Sequence, residues 1–281
     1  MERRIIVSGG GGLRVFSLPD GTLLRRAPLA GAGALCCGGG AVYCACGREG
    51  AVFRLDAGML MPQALFAAGP GICGLMLRGR RLYALCGEGD GVLMLDAGSG
   101  SPLVFARAGL SPMQMTADDS GALVIAGGEG GCVARLCLDT LKMLSLDPMP
   151  GPVYGASALG GRRYALCLSE ALESLLVAVE PGGTRRVLPL AGMPGALTYD
   201  PGRQALLAAV QGGVYAAAPD GSCVSGFCPL PGCACGGGSR LICGGGETLL
   251  LDASAERLWA LSPGRRYLIC GDAIDAALLD T

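Results

Sequence analysis

The chain has 281 residues, of which 51% are hydrophobic and 50 are glycine, and a formal net charge of −1. That content argues against disorder and leaves enough apolar surface for one large all-β domain or two ordinary ones. The near-zero charge, with Lys142 the one lysine among 22 basic residues, excludes a general binder of nucleic acid or of anionic membrane, and glycine without a three-residue period excludes collagen.

The first residues, "MERRIIVSGGGGLRVF", hold only a three-residue apolar run before the glycines. Neither a secretion signal nor a spanning helix is expected, and the cytosol is the expected location. From there the chain repeats one unit. In order, "RIIVSGGGGLRVFSLPDG", "AVYCACGREGAVFRLDAG", "RLYALCGEGDGVLMLDAG", "ALVIAGGEGGCVARLCLD", "RRYALCLSEALESLLVAVEPGG", "QALLAAVQGGVYAAAPDG", "RLICGGGETLLLDA" and "RYLICGDAIDAALLD" each read as strand, turn, strand, turn. A second hairpin precedes all but the first, turning at Gly39, Gly79, Gly121, Gly161, Gly202, Gly238 and Gly264, in steps of 40, 42, 40, 41, 36 and 26 residues. Four short strands every forty or so residues is the period of a propeller blade, and no stretch carries a convincing 3.6-residue helical pattern. The expectation is an all-β propeller of seven blades, or eight, each of four antiparallel strands. Eight central hairpins exceed a ring of seven, so the terminal strands are expected to pair and close it within a single domain over residues 1–281. "RLWALS" fits either the outer strand of one blade or the inner strand of the next.

Fifteen cysteines in a long chain without a signal, and in odd number, read as reduced thiols. "CC", "CAC" and "PGCACGGG" lack the C-x2-C spacing of structural zinc, and there is no histidine. Ser8, Cys46, Cys86, Ala126, Cys167, Ala209, Cys243 and Cys270 align just before the loop of successive copies. Small residues interchange there, so these five cysteines are expected to be buried, unpaired packing residues.

Three segments carry a resemblance. "TYDPGRQALLAA" (198–209) and "LSPGRRYLIC" (261–270) resemble the S-P-D-G-R hairpin of bacterial YVTN-type and lactonase-like propellers, and "VLMLDAGSG" (92–100) resembles their following strand and turn. The resemblance implies the propeller fold, which hosts very different activities.

With strands running from axis to rim, the loops sort onto two faces. Loops between the second and third strands offer Glu49, Glu88 and Asp90, Glu129, Glu170 and Glu173, Gln211, Glu247 and Asp272 to one face. The blade-to-blade connections of that face are uncharged, rich in proline and glycine, and carry Met113, Met149 and Met193, which predicts an apolar mouth ringed by acids. The other face collects Arg78, Arg80, Arg81, Arg162, Arg163, Arg203, Arg240, Arg265 and Arg266, beside turn aspartates Asp56, Asp96, Asp139, Asp220 and Asp252. Charged turn tips also keep an apolar ring soluble, which is the plain reading of both sets.

Without histidine, a Ser-His-Asp or Cys-His nucleophile is excluded. "GEGDG" (87–91) runs directly into a strand and repels phosphate, so it is a blade turn rather than an anion cradle. The expected function is a non-catalytic platform, a monomer without cofactor, whose acid face binds a basic protein or peptide and neither nucleic acid nor membrane. The alternative implied by the resemblance is a lactonase-like hydrolase with a carboxylate-bound divalent cation at the channel mouth.

Overall fold

The computed structural model describes residues 3–279 apart from positions 19, 47, 48, 109, 110, 245, 263 and 264, and the side chains of all of these but Ser262 and Arg265. Among the described residues there are 28 strands and no helix, arranged as seven four-stranded antiparallel sheets. No helix of the described residues is long and apolar enough to cross a membrane.

Blades 2 to 6 follow the chain. Their inner strands are Ala32–Gly38, Ile72–Arg78, Pro112–Ala117, Val153–Leu159 and Pro194–Asp200, and three further strands lead outward in each. The second strands sit between neighbouring blades, so both of their faces are apolar: Ala41–Cys46, Ala122–Gly127 and Ala205–Val210 are buried at every position. Outer strands alternate instead, as Pro102–Arg107 does with Leu103 and Phe105 toward solvent. These are free sheet edges, and Pro62, Pro102, Pro148, Pro189 and Pro229 lie on five of them, where a missing N–H blunts pairing with another chain.

Neighbouring blades are tied by hydrogen bonds as well as by packing. The Tyr43, Tyr83 and Tyr164 hydroxyls, on the second strands of blades 2, 3 and 5, donate to the carbonyls of Ala97 (2.9 Å), Leu138 (2.7 Å) and Pro219 in the next blade. Burial pushes all three phenols up, so they remain donors at neutral pH.

The ring closes in blade 1. Its innermost strand is the C-terminal one, Ala273–Leu279, which pairs antiparallel with Arg3–Gly9, and Gly12–Leu18 and Leu23–Ala27 complete the sheet. Blade 7 is Arg240–Gly244, Glu247–Asp252, Arg257–Ser262 and Arg265–Cys270, from the axis outward.

Blade 7 corrects the sequence reading. "RLICGGGETLLLDA" is its first and second strands rather than its second and third, "RLWALS" is its third, and "RYLICGDAIDAALLD" is its outer strand followed by the inner strand of blade 1. The cause is a longer connection. Residues 230–239 run from the outer strand of blade 6 to Arg240, so Gly238 turns within this connection, and Gly264 lies outside the described residues. With that shift the eight hairpins become seven blades.

A polar cluster anchors the long connection. Asp252, fully buried at the end of its strand, accepts the Ala234 amide at 2.8 Å, and the Ser239 hydroxyl accepts the amides of Gly236 and Ala253 at 3.2 and 3.3 Å. Asp252 heads a turn as expected, accepting the Ala255 amide at 3.3 Å, but the shifted register puts that turn between the second and third strands of blade 7 rather than on the arginine face.

Candidate functional site: an unpaired acid face and an arginine face

Antiparallel blades place loops between second and third strands, and blade-to-blade connections, at one end of the ring. Glu49 of blade 2, Glu88 and Asp90 of blade 3, Glu129 of blade 4 and Glu170 and Glu173 of blade 5 stand there as expected, all exposed except the half-buried Asp90. Asp272 also lies on this face, but in the connection from blade 7 to blade 1, and Arg14 holds it at 2.6 Å. Glu247 does not join them. It begins the second strand of blade 7 at the opposite end, half-buried and 3.4 Å from Arg3. The acid of blade 7 on this face is the exposed Glu256, between Glu247–Asp252 and Arg257–Ser262, which the shifted register concealed.

Local backbone chemistry sets these loops. Asp90 has φ +51°, a turn conformation that aspartate tolerates, and its carboxylate accepts the Ser111 amide at 2.8 Å. Glu88 lies over Gly71, where a Cβ would come within 2.7 Å of the Glu88 side chain. Among the described residues Glu49, Glu88, Glu129, Glu170, Glu173 and Glu256 make no ion pair.

The methionines are half-buried rather than displayed. Met149 packs against the core between blades 4 and 5. Met113, at the start of the inner strand of blade 4, meets the long connection: a Cβ at Gly237 would lie 2.5 Å from Met113 Cε. The connection into blade 7 thus reaches across the mouth to the far side of the ring, and the acids surround a covered centre. Met193 sits in the connection into blade 6, its carbonyl accepting the Gln211 amide at 2.8 Å.

The arginine face has the opposite character, because its charges are spent on one another. Arg80 pairs with Asp96 (3.5 Å), Arg162 with Glu180 (2.7 Å), Arg163 with Asp147 (2.7 Å), Arg203 with Asp200 (3.4 Å), and Arg81 with Asp139. Arg266 donates to the Pro229 carbonyl at 2.6 Å, and the Arg265 side chain lies outside the described residues. An exposed pair such as Arg80–Asp96 adds little stability, but all five pairs cancel field.

The channel holds polar residues that the sequence reading missed. Arg240–Gly244 is the inner strand of blade 7, and Arg240 pairs with Asp275 on the inner strand of blade 1. The Asp275 carboxylate also accepts the amides of Leu35 (2.7 Å) and Ala276 (2.8 Å). Burial raises its pKa, and Arg240 and the two amides pull against that rise. Among the described residues no three acids or cysteines converge as a metal-ligating group.

No protein-family model matches the chain, and no curated protein matches it. Solved structures do. A functionally unknown protein from Desulfotomaculum acetoxidans aligns at 10% identity and TM-score 0.75, over 99% of both chains. A putative 6-phosphogluconolactonase from Bacteroides fragilis aligns at 13% identity and TM-score 0.71, over 99% of this chain and 98% of that one. BBS1N, solved in complex with ARL6DN, aligns at 16% identity and TM-score 0.69, over 89% and 83%. These likenesses define a class: the chain folds as a seven-bladed β-propeller. Its neighbours include both an enzyme-like protein and a protein-binding one, so fold alone carries no activity.

Proposed function

We propose that the chain is a rigid platform that docks a cationic protein or peptide on its acid face. The observation that carries this reading is the unequal spending of charge. Six exposed glutamates in five blades of one face have no ionic partner among the described residues, whereas five arginines of the other face are neutralised by neighbouring acids. Unpaired like charges around a covered, apolar centre attract a partner that is basic at its rim and apolar in the middle. The BBS1N neighbour, a propeller solved with a protein partner, lends the reading support by analogy. The fourteen cysteines other than Cys37 are free, which suits a reducing compartment, the cytosol in our reading, and the proline-bearing outer edges suit a monomer.

The test compares two charge sets. Glu49, Glu88, Glu129 and Glu256 changed together to glutamine leave the fold intact, because all four are exposed loop residues. The partner retained from native extract should then associate roughly tenfold more slowly at low salt, and the difference should shrink as salt rises. Changing Arg80, Arg163 and Arg203 to glutamine should leave the rate unchanged. Loss of binding with the arginine set alone would place the working surface on the other face.

A further inference from the structure

The inner strands do not enclose a uniform channel. Around blades 4 to 6 they crowd together: Gln114 Nε2 of blade 4 donates to the Leu197 carbonyl of blade 6 at 3.1 Å. It passes Gly155 of blade 5, where a Cβ would lie 2.4 Å from the Leu197 nitrogen. Around blades 7, 1, 2 and 3 the strands stand apart and leave a cavity of about 360 Å³, lined by Leu35, Cys36, Leu77, Ile242 and Leu278 and bounded by Arg240. Beyond Arg240 the space narrows to about 20 Å³ between Cys73, Met113, Gln114 and Gly238. The cavity is therefore open toward the arginine face and closed toward the acid face. Arg240 and Gly244 are four residues apart on one strand, which makes it about 13 Å deep.

Arg240 is the polar feature at the closed end. Its Nη1 contacts Asp275, whose carboxylate already holds two amides, and its side chain keeps 28% of its surface open. Arg240 lines both the cavity and the narrow space beyond it, which places the guanidinium toward the channel. A guanidinium offers five donors, and the edge turned away from Asp275 matches a carboxylate. At the open end Arg78 is exposed, with no ion pair among the described residues. Apolar walls, a guanidinium at the base and a second one at the entrance fit a small apolar acid.

We infer that this cavity binds a medium-chain monocarboxylate, with its carboxylate on Arg240 and its chain along the inner strands of blades 7, 1, 2 and 3. The site is independent of the acid face and opens on the opposite side. Calorimetric titration with octanoate, octanol and octylamine tests it. The wild-type chain should bind octanoate at least tenfold more tightly than octanol, and octylamine not at all. The double variant Arg240→Gln/Asp275→Asn removes both buried charges together, which avoids leaving one uncompensated, and should bind the acid no better than the alcohol. Leu77→Trp leaves the ion pair in place and fills the cavity, so it should abolish binding of both. Equal affinity of the wild-type chain for octanoate and octanol, absence of octanoate binding at millimolar concentration, or binding that survives Leu77→Trp would each overturn the assignment.

Discussion

Cysteine acts here as a small apolar side chain in three of the second strands that two blades press between them. Cys46, Cys86 and Cys167 occupy that position and are buried and unpaired. Burial pushes the Cys167 thiol up to about 12, so it stays protonated at the pH of ordinary labelling. Cys243 and Cys270 were expected in the same class but are half-buried. The first lies on the inner strand of blade 7 beside the channel and the second on its outer strand near solvent. A maleimide time course followed by peptide mass analysis should label the exposed Cys223 first and Cys167 last, with Cys270 between them. Labelling of Cys167 as early as Cys223 in the folded chain would contradict this order.

At the scale of the element, the tyrosine-to-carbonyl links join the second strands of blades 2, 3 and 5 to the following blade. Tyr83→Phe keeps the ring and its packing but leaves the carbonyl of the half-buried Leu138 without its donor, so it should lower stability by about 1 kcal/mol. Urea unfolding checks this, and an unchanged midpoint would show the link to be idle. Strand number, strand order within blades 2 to 6 and most of the acid positions were legible in the sequence, because glycine turns and apolar runs recur at a fixed step. Blade 7 was not. Its inner strand "RLICG" and outer strand "RRYLIC" read like the second strands "RLYALC" and "RRYALC", since any strand packed between sheets is an apolar run with a small residue near its end. What distinguishes them is the length of residues 230–239, a tertiary matter with no local signature. The same slip hid Glu256, moved Glu247 to the wrong face and removed Arg240 and Asp275 from the channel.

For the whole molecule, the ring separates two kinds of surface on a rigid frame. Closure by Ala273–Leu279 covers the inner edge of Arg3–Gly9, and seven blades hold their loops in fixed relation, so charges on different blades act together. The acid face presents glutamates that the fold itself does not use, over a mouth crossed by residues 230–239. The arginine face is internally neutralised at Arg80, Arg81, Arg162, Arg163 and Arg203, with Arg78 left over, and opens into the channel. These assignments predict where a partner leaves its footprint. Hydrogen–deuterium exchange of the chain, alone and with the partner retained from extract, tests the central claim most directly. Slowed exchange in residues 49–50, 87–90, 128–131, 169–173 and 253–256 is the result the acid-face reading predicts. Slowed exchange confined to residues 79–80, 160–161 and 201–204, on the arginine face, would contradict it.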